Sequence, residues 1–464
     1  MSLGLRPHMD YRAVAALAIF IFTLYLMVRR PYRINLGLAS GIGAILSLLA
    51  GTVTLSDAVT AFMEIMDAAL AFIGIVAFSL ILDYLGFFRW AAIKVIKAAS
   101  GDGLKLYFYT SLLTALVSIL FANDSAILIL TPIVVEVIDE LRMGSKERLA
   151  YLFAAGLIAD TAAMPLVTSN PVNIVSADFL CYSFIDHAIF MGPVALATIA
   201  MSLVILYCFF RSSIPRRYTT EAIECLDADR IIHPSILKVC ISTLVAVNVG
   251  YILVSINRLP VSIAICSGAL SLLLTYIVNS RLSSGSCYEG LKSMVREINW
   301  DIVVFMASIF IVVQGLKHIG TIEFFKRIFL ESLKLPGFLS ILSPSLAVTV
   351  GASIMNNWPM TILGLLSIRD VLGYGLDDHH IAGLVFSNII GNNLGPHFFP
   401  LGSLAIIMWM ETMRRKGLSI RLRDYLKVGS VVSIIEVTVS SIILWVEISI
   451  LGMKLNIPLD HLRY

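Results

Sequence analysis

The sequence predicts an all-α polytopic membrane protein: two inverted repeats, about 10 transmembrane helices plus two re-entrant hairpins, with broken helices at the midplane. Three observations lead there. Apolar residues make up 58% of the chain and charged residues 14%, with a mean hydropathy of +0.89, whereas a soluble domain carries roughly 25% charge. Many apolar stretches reach the roughly 20 residues a spanning helix needs. Finally, two apolar stretches are interrupted by polar pairs, Asn123-Asp124 in ILFANDSAILILTPIV and Asn356-Asn357 in VGASIMNNWPMTILGLL. The interruptions echo one another: Asp124 precedes Asp160 by 36 positions, and Asn357 precedes Asn393 by 36. A repeated, interrupted hydrophobic segment is how a secondary transporter builds a site at mid-membrane.

Taken in order, the spans fall at 12–28, 34–54, 68–85, 149–177, 188–210, 236–256, 261–278, 301–316, 381–413 and 428–450. The first apolar run, Ala13 to Val28, ends at Arg29-Arg30 without a small-residue cleavage site, and reads as a retained helix. Segments 149–177 and 381–413 are too long for one helix and contain Asp160, Pro165, Asn170 and Pro171, and Asn392, Asn393, Pro396 and Pro400. Each is therefore two half-helices around an unwound centre. Segments 104–139 and 338–368 turn at the two polar pairs and form the hairpins. The first repeat covers 1–210, a cytoplasmic linker 211–235, and the second repeat 236–464.

Basic residues test this layout, because cytoplasmic loops carry the excess of Lys and Arg. Those near 29–33, 89–105, 142–148, 211–217, 281–296 and 414–427 fall on one side if both hairpins return to the face they entered. The loops around Asp57, Glu64 and Asp67, around Asp178 and Asp186, and around Asp370, Asp377 and Asp378 are acidic and lie opposite. Lys317, Lys326, Arg327 and Lys334 break the rule and are placed on an outside interfacial helix; both termini then lie outside.

Other function classes are disfavoured. The six cysteines (Cys181, Cys208, Cys225, Cys240, Cys266, Cys287) show no C-x-x-C spacing, so neither a metal site nor a disulfide framework is expected. A net charge of +3 spread over short loops argues against nucleic acid. No cofactor motif is present, and the chain is expected to be a transporter of a multi-pass plasma membrane rather than an enzyme.

A carboxylate at the centre of a spanning helix costs about 2.5 kcal/mol or more, so it is kept where it meets solute, ion or another side chain. Asp124 and Asp160 are the leading candidates, each beside a helix break where a half-helix N-terminus offers partial positive charge. The plainer alternative is that each caps freed backbone groups. Around them stand Asn123, Thr161, Thr168, Ser169, Asn170, Asn173, Asn356, Asn357, Asn392, Asn393 and Ser403, amides and hydroxyls that both donate and accept. Such a lining suits a small neutral polyhydroxylated solute or a partly dehydrated cation; helix–helix glue accounts for some of it. His397, in GPHFFP, is expected to be the His at membrane depth beside a break and a proton relay. Asp83, Glu136, Asp139, Glu436 and Glu447 read as interfacial or paired ends.

FANDSAILILTPIVV, GLIADTAAMPLVTSNPVNIVSADF, SIMNNWPMTILGLLSI and NLGP-x-x-x-P-LGSLA, with ILDYLGFFRWAA at 81–92, resemble signature segments of the arsenite/antimonite efflux permease family of bacteria and archaea, within the ion transporter superfamily. The resemblance runs from about residue 12 to 450 and implies export of arsenite and antimonite in exchange for protons, sometimes with a soluble ATPase partner on the cytoplasmic face. Residue by residue it points to Asn123, Asp124, Asp160, Thr161, Asn170, Asn173, Asn356, Asn357 and Ser403. The chain departs from the family pattern at Asn393, where an Asp commonly stands, and at His397, where a Lys does, as though an ion pair had been lost. Three clustered thiols would hold trivalent arsenic tightly, and these motifs contain none, so hydrogen bonds to a neutral trihydroxide are expected. The alternatives are a sodium/proton antiporter or dicarboxylate carrier of the same superfamily, a downhill channel, and an intramembrane aspartyl protease using Asp124 and Asp160. The last lacks a G-x-G-D motif within its spans.

Overall fold

The structure, a computed structural model, describes residues 11–219, 231–282 and 287–457. Its described residues form helices α1 (Tyr11–Arg29), α2 (Leu36–Leu49), α3 (Leu55–Tyr84), α4 (Phe87–Ala99), α5 (Gly103–Phe121), α6 (Asn123–Glu140), α7 (Ser145–Thr161), α8 (Pro171–Leu180) and α9 (Phe184–Phe210). There follow α10 (Pro234–Ile256), α11 (Ser262–Leu282), α12 (Cys287–Glu297), α13 (Trp300–Gln314), α14 (Thr321–Ser332), α15 (Leu339–Met355), α16 (Asn357–Leu372), α17 (Asp378–Phe398), α18 (Leu404–Arg415) and α19 (Leu422–Ser449). Among the described residues eight helices are long and apolar enough to cross a membrane, and the chain is an all-α multi-pass membrane protein.

In each hairpin the two helices come back to a common open end. At the open end of α5–α6, the Tyr151 hydroxyl donates to the Gly103 carbonyl at 2.8 Å, Arg148 pairs with Asp139, and Lys416 lies 3.6 Å from Glu136. The basic residues of that face gather there, and Tyr218 of the linker donates its N–H to Gly101. At the open end of α15–α16, Lys326 stacks on the Tyr374 ring and His379 meets the Met453 carbonyl at 3.0 Å. These two open ends lie at opposite ends of α19. Of the four basic residues that break the charge rule, Lys326 and Arg327 lie on the short amphipathic α14, and Lys317 and Lys334 flank it.

The turns are one residue tighter than the polar pairs suggest. Ala122 forms the first (φ 67, ψ 152) and Asn356 the second (φ 79, ψ 151), so both hairpins use the same left-handed backbone state. The broken helices also need correction. The second continues helical through Asn392, Asn393, Pro396 and His397, and unwinds only at 399–403, because α17 packs against α15 along its whole length. A Cβ at Gly391 would stand 2.5 Å from that of Val348, and one at Gly395 2.8 Å from that of Ala352, so the backbones touch where the prolines would otherwise admit a break.

The acidic stretch 55–67 is not a loop. It is the first part of α3, opened by a capping box in which Thr54 and Asp57 satisfy each other's backbone N–H. Asp67 sits well inside this helix and accepts the N–H groups of Val261 and Ser262, both at 3.2 Å, closing the start of α11. Asp301 does the same for α2, accepting from Leu36 at 2.9 Å and Gly37 at 2.7 Å. Segment 87–99 forms a helix that the span pattern did not anticipate, with Phe88, Ala92, Ile93 and Ile96 buried on one face.

Candidate functional site

The four chain breaks start four helices, and at each a side chain takes one of the first backbone N–H groups: as the N-cap at Asn170, Asn356 and Ser403, and from the first helical residue at Asn123. The Asn123 carbonyl oxygen accepts from Asp124 N at 3.0 Å, Asn170 from Val172 N at 3.2 Å, Asn356 from Trp358 N at 3.2 Å, and Ser403 from Ala405 N at 3.1 Å. Helix starts leave unpaired N–H groups that cannot stay bare in an apolar core, and Asn or Ser is the residue type that caps them.

With its oxygen committed to the cap, each Asn turns its NH2 group outward. Asn123 donates to Asp160 Oδ1 at 2.7 Å. Asn170 donates to Asn393 Oδ1 at 2.9 Å, and Asn393 in turn donates to Asn173 Oδ1 at 2.9 Å and to the Ile389 carbonyl. Asn173 ties the unwound chain by donating to the carbonyls of Ala163 and Leu166. Asn356 donates to the Leu401 carbonyl at 3.1 Å, inside the second break. Two predicted residues stand apart from this lattice: Asn392 serves its own helix through Asn388, and the Asn357 carbonyl oxygen is buried without a hydrogen bond.

Asp160 is at the C-terminal end of α7, not at a helix N-terminus as the sequence suggests, so the helix dipole opposes its charge. Compensation comes from side chains: the Asn123 amide, the Ser403 hydroxyl and the His397 ring. His397 Nε2 lies 3.5 Å from Asp160 Oδ2, and neither atom makes a hydrogen bond, although both are buried. Asp124 does lie in the first turn of a helix, α6, where the dipole favours it. It retains 8% exposure, more than any other member of the cluster, and it feels the Asp160 charge.

The other ring nitrogen of His397 points to a residue that the sequence reading had set aside. Nδ1 lies 2.6 Å from Oε2 of Glu436, which is fully buried in the middle of α19. Glu436 Oε1 accepts from Thr161 Oγ1 at 2.6 Å and from the Ser202 hydroxyl. His397 therefore pairs with Glu436 and Asp160, and it is Asn393 that fills the amide lattice; the two positions that depart from the family pattern are not partners. A second buried His was also missed. His187, at the start of α9, meets the Met164 carbonyl at 2.9 Å and Tyr182 at 3.2 Å, so His397 is not alone beside a break.

Below the first break, a cavity of about 560 Å³ opens on the face that carries Asp178 and Asp186, and reaches Val167 in the unwound segment. Among the described residues no cluster of three or more His, Cys, Asp or Glu has metal-binding geometry, and the described cysteines lie outside the lattice.

The model of the family described as "Arsenical pump membrane protein" matches residues 15–448. The arsenical pump membrane protein of Escherichia coli (strain K12) is 34% identical over 452 residues, covering 95% of this chain and 99% of that one. A putative arsenical pump membrane protein of Bacillus subtilis (strain 168) is 24% identical, with 92% and 98% covered. Among solved structures, the Alcanivorax borkumensis YdaH transporter shares the fold, with a TM-score of 0.58 at 13% identity over 95% of this chain and 99% of that chain. With the match running through every break that builds the site, the chain belongs to the arsenical pump membrane protein family, a family of membrane transporters.

Proposed function

We propose that the protein exports arsenite and antimonite, as neutral trivalent hydroxides, in exchange for protons. The observation that carries this reading is the buried meeting of Asp160, Asn123, His397 and Glu436, in which carboxyls, an imidazole and amides face each other without a thiol. A trihydroxide offers hydroxyls that both donate and accept, and this lining matches it with bonds weak enough to release it. The carboxyls and the ring hold protons, so occupation by solute and by proton can be made mutually exclusive at Asp160 and Asp124. One proton entering per neutral solute moves one charge, worth about 2.3 kcal/mol at 100 mV. That sustains a gradient of roughly fiftyfold.

Residues 1–210 and 236–464 form two inverted repeats in this reading, with access alternating as the hairpins and broken helices move against the remaining helices. Three observations support it: the similar backbone angles at Ala122 and Asn356, the opposite open ends of the hairpins, and the reciprocal caps from Asp67 and Asp301. Linker 211–235 lies partly outside the described residues, and docking of an ATPase there is not required by the exchange.

The test is arsenite uptake into everted vesicles bearing the wild type, Asp124→Asn or Asp160→Asn, with and without an imposed proton gradient. The reading predicts gradient-dependent uptake that collapses in either variant. No arsenite uptake by the wild type would overturn it and turn attention to sodium or organic anions.

A further inference from the structure

We infer that Glu436 is a proton-carrying residue of the exchange cycle, linked through the His397 imidazole to Asp160. The inference rests on the proton exchange proposed above and adds a residue outside every motif that carries the family resemblance.

The geometry is that of a relay. His397 spans two buried carboxyls, Nδ1 at 2.6 Å from Glu436 Oε2 and Nε2 at 3.5 Å from Asp160 Oδ2. One carboxyl comes from the first half of the chain and the other from the second. The short contact holds the ring in one orientation, which aims Nε2 at the one Asp160 oxygen that has no hydrogen bond. A proton arriving on Glu436 passes to Nδ1 as the Nε2 proton passes to Asp160, and the reverse transfer carries a proton from Asp160 back to Glu436, so the ring conducts one proton in either direction between the two carboxyls.

Glu436 is held at both ends of its carboxyl: Oε1 accepts from Thr161 and Ser202 in the buried middle of α19, and Oε2 meets the His397 ring. The groups facing it are His397 on α17, Asp160 and Thr161 on α7, Ser202 on α9, and Tyr425 on its own helix, with Asp124 on α6 beyond Asp160. One turn along α19, the hydroxyls of Ser440 and Thr198 meet at 2.8 Å, continuing the polar seam between α9 and α19 toward the end of the helix that carries Glu447. A purely structural acid would not need a ring that connects it to a second, incompletely bonded carboxyl.

Two measurements test the inference. The first is independent of any solute: infrared difference spectra of the purified wild type between acid and alkaline pH, compared with Glu436→Gln and Ser202→Ala. A protonated-carboxyl band that is absent in Glu436→Gln, and whose midpoint moves to higher pH in Ser202→Ala, is expected, because losing a donor to the anion favours the proton. A band unchanged in both variants would overturn the inference whatever the solute proves to be. The second is vesicle uptake of arsenite across a pH series. Glu436→Gln should lower gradient-driven accumulation at least tenfold, and by a larger factor than it lowers arsenite counterflow without a gradient, while Glu436→Asp recovers part of the loss with a displaced pH profile. Wild-type levels and an unchanged profile in Glu436→Gln would also overturn it. Failure of wild-type uptake itself would instead sink the exporter reading and leave the infrared result standing.

Discussion

Asp67 and Asp301 lie 234 positions apart and each caps a helix of the other half of the chain: Asp301 closes α2, and Asp67 closes α11. A carboxylate across a helix start contributes roughly 1 kcal/mol through the backbone donors it satisfies and the dipole it opposes. Replacing Asp301 by Ala should therefore lower the stability of the detergent-solubilised protein by about 1–2 kcal/mol. Asp67→Ala, whose bonds are longer, should cost less. Thermal unfolding of both variants checks this, and an unshifted transition for Asp301→Ala would contradict it.

Asn393 is the hinge pin of the amide lattice, accepting from Asn170 and donating to Asn173. Asn393→Leu strands both partners in a buried setting, at about 1–3 kcal/mol for each unpaired group. Asn393→Asp keeps the acceptor and keeps the donor only while protonated. Its stability should approach the wild type at acid pH and fall as pH rises; a pH-independent deficit would show that the donor role is unimportant.

The cavity on the face of Asp178 and Asp186, the outer face in the proposed topology, predicts reagent access. Cys181 lines it and is exposed, whereas Cys208 sits at the other end of α9 beside the basic residues. In variants retaining one of these cysteines, an impermeant maleimide applied from outside should label Cys181 and spare Cys208, and inverted vesicles should reverse the pattern. Equal labelling from one side would refute the assignment of faces.

Asp377 supplies the pH-sensitive cap of the site's second broken helix. Its carboxyl is held below the ordinary range chiefly by the His380 backbone N–H, with which it bonds at 2.8 Å. A depressed carboxyl contributes stability above its unfolded-state pKa and loses it as pH falls through the folded-state value. Asp377→Ala should thus cost about 1 kcal/mol at most at neutral pH, given its exposure, and nothing in acid below the carboxylate range. Unfolding midpoints across that range decide the matter.

The residues legible in the sequence were those that interrupt apolar runs at matched spacing: Asn123, Asp160, Asn170 and Asn393 announce themselves because nothing polar belongs there without a partner. Glu436 was passed over, since a single acid in VVSIIEVTVSSII resembles an interfacial end, and its partners Thr161 and Ser202 lie more than 200 positions away. The serines around it, Ser433, Ser440 and Ser441, were the available clue, because all are buried. Asp67 was misplaced for a related reason: with Asp57 and Glu64 it depresses local hydropathy and mimics a loop, when a distant helix start is what it serves. The second break lies later than its prolines suggest, because the close packing of α15 that holds α17 straight is invisible to local propensity.

The caps also give the lattice a direction. Because each Asn oxygen holds a backbone N–H at its own helix start, it is the NH2 groups of Asn123, Asn170 and Asn356 that reach out, each giving to a neighbouring broken segment. These seams are stitched by a few neutral or singly charged hydrogen bonds, each worth about 1 kcal/mol net because water makes nearly the same bond. Water reaching such a seam would replace the stitches almost without loss, so parting these segments is an exchange of hydrogen-bond partners, and they can separate and rejoin without anything having to unfold.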